Sequence, residues 1–147
     1  MASASIPVTL QARLRRLELA LGRLARRPGV AVVHDARVAA RRFRALLRGL
    51  DGYLNPPLAA QLEFELRAVG RTLAPLRDAD VRRAAIADTC RVLLRADPAL
   101  REHFGVAVAA CLAALDEERR SERRMLRATL QTPGWRARQG RLRALTL

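Results

Sequence analysis

The chain contains no lysine: all 28 of its basic residues are arginine. Coding bias can produce such a skew, so arginine identity alone carries no argument, but the balance of charge does. Acids are scarce, 14 against those 28 arginines, and the net charge of +14 selects for polyanionic partners: nucleic acid, acidic lipid or another polymer of phosphate. Aromatic residues make up only 3%, one Trp, one Tyr and three Phe. Recognition of single-stranded nucleic acid relies on stacking platforms, which this composition does not supply. The two cysteines, Cys90 and Cys111, lie in apolar helical contexts without metal-ligand spacing and read as buried, reduced thiols.

Other absences narrow the class further. The chain has no Gly-rich phosphate loop, no Cys/His zinc pattern and no G-x-S-x-G elbow, so no metal, cofactor or catalytic residue is assigned. Its longest uncharged run, His103 to Leu115, is too short to cross a bilayer. Met1-Ala2-Ser3-Ala4-Ser5 leads directly into an amphipathic helix rather than a signal peptide, which predicts a cytoplasmic protein without a membrane partner. No strand alternation, solenoid repeat or low-complexity linker interrupts the sequence.

What remains is a chain of 147 residues, half of them apolar and mostly Leu and Ala. That length and composition predict a single domain over 1–147, an all-α antiparallel bundle of about five to six helices. Leu10, Leu14, Leu17, Leu21 and Leu24 define a first helix over about Val8 to Arg27, punctuated by Pro28-Gly29. A second helix fades near Asp51-Gly52. Asn55-Pro56-Pro57 opens a third, with Leu58, Leu62, Leu66, Val69 and Leu73 on its apolar side, and Pro75 is expected to end or kink it. Arg77-Asp78-Ala79-Asp80-Val81 is read as the start of a fourth helix reaching about Arg95, with Asp78 and Asp80 as capping acids. Asp97-Pro98 is a strong start signal for a fifth helix to about Gln131, with a break expected near Gly105. Thr132-Pro133-Gly134 stops it, and Trp135 to Leu145 forms a short basic helix.

The second helix carries the feature with most bearing on function. His34, Arg37, Arg41, Arg44 and Arg48 are spaced 3, 4, 3 and 4, which keeps them within an arc of roughly 80°. Val32, Ala36, Ala39, Phe43, Leu46 and Leu50 gather about 140° to 180° away, the expected core face. The pairs Arg37–Arg41, Arg41–Arg44 and Arg44–Arg48 repel, each costing roughly 0.2–0.5 kcal/mol. Solvated helix faces relieve that cost with interleaved acids, but Asp35, the one acid between residues 34 and 48, lies off the stripe. An unrelieved arginine ladder points to an external anion. Arg42 faces away from it, near Asp35, as a flanking contact or a structural ion pair. Arg77 stands beside Asp78 and Asp80, which cap or hold an arginine in place. His34 heads the ladder without a nucleophile at a matching spacing, and reads as a phosphate or water contact.

Two segments resemble a known family. Val33-His34-Asp35-Ala36-Arg37-Val38-Ala39-Ala40-Arg41-Arg42-Phe43-Arg44 is similar to the histidine-headed helix of the conserved histidine α-helical domain, the CHAD family. Leu73-Ala74-Pro75-Leu76-Arg77-Asp78-Ala79-Asp80-Val81 matches that family's second motif in order and spacing, and the resemblance spans about residues 8 to 145. It implies a helical bundle that binds inorganic polyphosphate in a basic channel, with members at polyphosphate granules. By matching position, His34, Arg37, Arg41, Arg42, Arg44 and Arg77 would belong to the binding surface; Arg48 joins them through helical spacing alone. A full family domain resembles two related bundles, and this chain ends where the second would begin. The expectation is that two copies pair about a two-fold axis to complete the channel. A nucleic-acid-binding protein, and a metal-dependent phosphohydrolase using His34 with Asp78 or Asp80, are the rival readings.

Overall fold

The computed structural model describes residues 5–144, and every regular element among them is an α-helix. They are α1 (Ser5–Arg26), α2 (Val30–Gly49), α3 (Pro56–Ala96), α4 (Pro98–Gln131) and α5 (Pro133–Ala144). The all-α bundle expected from composition is the one observed, and its five helices pack mainly on their chain neighbours.

The leucine series of α1 does what its spacing dictates: Leu10, Leu14, Leu17, Leu21 and Leu24 are all buried. They pack with Val33, Ala36, Ala40, Phe43 and Leu47 of α2 and Leu62, Leu66, Val69, Leu73 and Leu76 of α3. The α2–α3 turn passes through Gly52 at φ +82°, a left-handed conformation that glycine adopts without a Cβ penalty. Trp135 and Leu142 of α5 close the core, and α5 is tied down electrostatically. Glu65 of α3 is fully buried and accepts hydrogen bonds from Arg138 Nε at 2.9 Å and Arg141 Nε at 2.5 Å. Burial pushes the Glu65 pKa up, but the bonds from Arg141 and Arg138 outweigh it, leaving the carboxyl below its ordinary value.

Three sequence expectations are corrected. The third and fourth helices are one: α3 runs unbroken for 41 residues with Pro75 inside it. Pro75 has no N–H to give to the Arg71 carbonyl, which destabilises a helix interior. Here Leu73, Leu76 and Ala79 bury a continuous face on both sides of the proline, and that packing wins over local propensity. Asp78 and Asp80 are therefore mid-helix residues and cap nothing. The break near Gly105 is also absent, since α4 continues through it to Gln131. Asp97 does cap α4 as expected, accepting from Ala99 N–H at 2.9 Å, and it is the single residue between α3 and α4.

That one-residue connection folds α3 and α4 into a long antiparallel hairpin. Its inner part belongs to the bundle and its outer part does not. Asp80 is the last buried residue of α3, and Leu126 is the first of α4. The junction is clasped by charge. Arg119 Nε donates to the buried Asp80 at 2.8 Å, Arg83 Nε donates to Asp116 at 3.0 Å, and Arg82 pairs with Glu118 at 2.6 Å. The cysteines lie on the outer part, where Cys90 is half-buried and Cys111 is exposed, so the expectation of two buried thiols is corrected. The run that holds Cys111 is apolar but has no neighbour beyond α3 to bury it.

Candidate anion-binding site

The ladder does not point straight out to solvent. The buried residues of α2, Val33, Ala36, Ala40, Phe43 and Leu47, sit roughly 60° from the centre of the face expected from sequence, turned toward the ladder. Val32, Ala39, Leu46 and Leu50 are left partly buried at its edge. The physical reason is α3, which packs on the ladder side and draws the core face round. The arginines consequently line a cleft between two helices.

That cleft has a volume of about 540 Å³. From α2 it receives His34, Arg37, Arg41 and Arg44, and from α3 Arg67, Arg71 and Arg77. Its floor is small or apolar: Val38, Ala40, Leu66, Gly70 and Ala74. Six arginines and a histidine thus share one groove, and no carboxylate is among its lining residues. Arg67 and Arg71 were missed by the motif reading. Their signal was present in the same 3/4 spacing, since Arg67, Arg71, Ala74 and Arg77 follow one line along α3.

Two of the residues expected at the binding surface, Arg42 and Arg48, lie elsewhere. Arg42 lines a separate, smaller groove of about 300 Å³ between α1 and α2, with Arg13, Arg16, Arg23 and Asp35. Arg48 is exposed in the last turn of α2, where a cation complements the helix dipole, and it does not reach the α2–α3 groove.

The electrostatics divide the groove into a fixed end and an open centre. Glu63 Oε1 accepts from Arg44 Nη2 at 2.8 Å and Nε at 3.0 Å, and from Arg67 Nε at 2.9 Å. The acid missing from α2 thus comes from the facing helix. The hydrogen bond from Arg44 leads the lowering of the Glu63 pKa, and the reciprocal bond raises that of Arg44. At the other end Arg37 Nη1 stands 3.9 Å from Asp78 Oδ1, beyond hydrogen-bond range. That nitrogen is shielded from solvent and has no acceptor among the described residues. Arg41, Arg71 and Arg77 likewise have no acidic partner among them. A buried donor without an acceptor, such as Arg37 Nη1, is costly, and a phosphoryl oxygen is the acceptor its charge favours. No group of three or more His, Cys, Asp or Glu suited to a metal ion occurs among the described residues.

Fold and site together define a class: a small, strongly basic helical bundle with an arginine-lined interhelical groove. The CHAD domain family model matches residues 8–146, and the chain belongs to the CHAD family, which is associated with polyphosphate binding. Searches of curated proteins and of solved structures gave no significant match.

Proposed function

We propose that the α2–α3 groove binds inorganic polyphosphate and performs no chemistry on it. The observation that carries this reading is the convergence of seven basic side chains on one groove, where Glu63 neutralises only the Arg44 and Arg67 end and the shielded Arg37 Nη1 has no acceptor among the described residues. A linear phosphate polymer presents anionic oxygens at every unit, so successive arginines can each take a two-pronged contact. Binding would release the counterions condensed on the polymer, as it does with nucleic acids, and affinity would fall steeply with salt.

The reading favours a polymer of phosphate over nucleic acid because the groove offers guanidinium groups and small apolar residues, with no Phe, Tyr or Trp lining it. Competition between long-chain polyphosphate and RNA at equal phosphate concentration tests this, and preferential displacement by RNA would overturn it. Incubation with polyphosphate, with and without Mg²⁺, is expected to release no phosphate; metal-dependent release would make the site an enzyme's. In cells a fluorescent fusion is expected in the cytoplasm, gathered on polyphosphate granules. One physical feature bears on location. By length and hydropathy, 1.3 over its most apolar window, α4 qualifies as able to cross a membrane, with none of that window buried.

A further inference from the structure

The outer half of the α3–α4 hairpin leaves a large apolar surface uncovered. Leu93 is 52% exposed and Phe104 55%. On a count of 100° per residue, Ile86, Thr89, Leu93 and Ala96 share one flank of α3. Leu100, Phe104, Ala107, Cys111 and Ala114 share one flank of α4 by the same count. Because the helices run antiparallel, turning away from the seam between them brings both flanks to the same broad side of the hairpin. Arg91, Arg95 and Glu102 fall on the opposite side. Arg82 shares the apolar flank at its root, where Glu118 holds it. The hairpin is therefore amphipathic as a unit, with one face uncharged beyond the Arg82–Glu118 pair at its root and one charged face.

We infer that this face docks a second copy of the chain, the two hairpins forming a four-helix bundle about a two-fold axis. A two-helix hairpin with one apolar side is half of such a bundle, and a two-fold axis sets the face against itself. Charge favours the same partner surface. Two molecules of net charge +14 repel wherever their arginines meet, and the one arginine on this face, Arg82 at its root, is paired with Glu118. Its small residues, Thr89, Ala96, Ala107, Cys111 and Ala114, let helices approach to the usual 8–10 Å. The flank runs about 16 Å along α3 and about 22 Å along α4, and at about 10 Å per helix the face covers roughly 400 Å². That is about half of the roughly 800 Å² per partner of an ordinary stable interface, which places the contact among the small, weaker ones. A bilayer suits the face less well, since only a few of its side chains are large enough to insert.

The inference stands apart from the identity of the anion, but it bears on the groove. Helix α3 is continuous from Arg67 to Ala96, so docking of the outer hairpins fixes two grooves at a set separation.

Light scattering coupled to gel filtration, on the full chain without polyphosphate, is expected to give twice the 16.3 kDa chain mass. The L93E/F104E variant is expected to be monomeric, its dimer weakened roughly a hundredfold or more, with unchanged helical circular dichroism. R95A, on the charged side, is expected to remain a dimer. A thiol-reactive cross-linker is expected to join two chains through Cys111 in the native protein and not in L93E/F104E. A monomeric native chain at high micromolar concentration overturns the proposal, as does a dimer that survives L93E/F104E. A monomer that binds vesicles of anionic lipid, and loses that binding in L93E/F104E, assigns the face to a membrane instead and equally overturns it. Polyphosphate binding is measured separately on the same variants, so a failure of the groove and a failure of the interface are distinguishable.

Discussion

Arginine does two jobs in this chain, and the partner of each guanidinium tells them apart. Arg119, Arg138 and Arg141 answer buried or half-buried carboxylates and hold helices together. Arg41, Arg71 and Arg77 have no such partner among the described residues and face a groove. Truncating a residue of the first kind should cost stability: R119A leaves Asp80, 5% exposed, without its counter-ion and should lower stability by about 3 kcal/mol, measured by urea unfolding. Truncating one of the second kind should cost binding: R71A should weaken polyphosphate affinity roughly tenfold with little change in melting temperature. R42A should change neither much, because Arg42 faces the other groove. The acids supply a pH test. The Glu63 and Glu65 pKa values are depressed in the fold, so their contribution is present above the unfolded carboxyl value of about 4.3 and is lost as pH falls through the lower folded values. Trp135, 3% exposed beside the Glu65 anchor on α5, should report that loss as an acid-induced fluorescence change, and E65Q, which cannot titrate, should be less stable at neutral pH and lose the Glu65 share of the pH dependence.

At the scale of elements, helix periods were legible in the sequence and helix boundaries less so. The leucine spacing of α1 and the Asp97-Pro98 start of α4 correspond to what is seen. The join of two expected helices into α3 was not legible, because a proline is a local signal and the burial of Leu73, Leu76 and Ala79 that overrides it is tertiary. The same limit explains the site. The ladder of α2 could be read from spacing, but which of its arginines meet Arg67 and Arg71 depends on how α3 packs. Glu63 could not be assigned to Arg44 from sequence, since the pair is 19 residues apart on different helices. Pro75 gives this scale its own prediction. P75A restores an N–H for the Arg71 carbonyl and should stabilise the chain by about 1–3 kcal/mol. A fall in melting temperature would mean that the proline ring itself is needed by the packing of α3.

For the whole molecule, the distribution of charge matters more than its total. A net +14 would attract any polyanion weakly, and a diffuse attraction would be indifferent to where an arginine is removed. The groove makes a sharper claim, because binding should depend on Arg37, Arg41, Arg71 and Arg77 far more than on an equal number of arginines elsewhere. The most direct measurement is a polyphosphate titration across a range of salt concentrations. It compares the native chain, R41A/R71A, and a control, R13A/R42A, that removes equal charge outside the groove. The expected result is a steep, linear fall of log affinity with log salt for the native chain and the control, and both a weaker affinity and a shallower slope for R41A/R71A. Equal losses in the two variants, or an affinity indifferent to salt, would contradict the α2–α3 groove as the polyphosphate site.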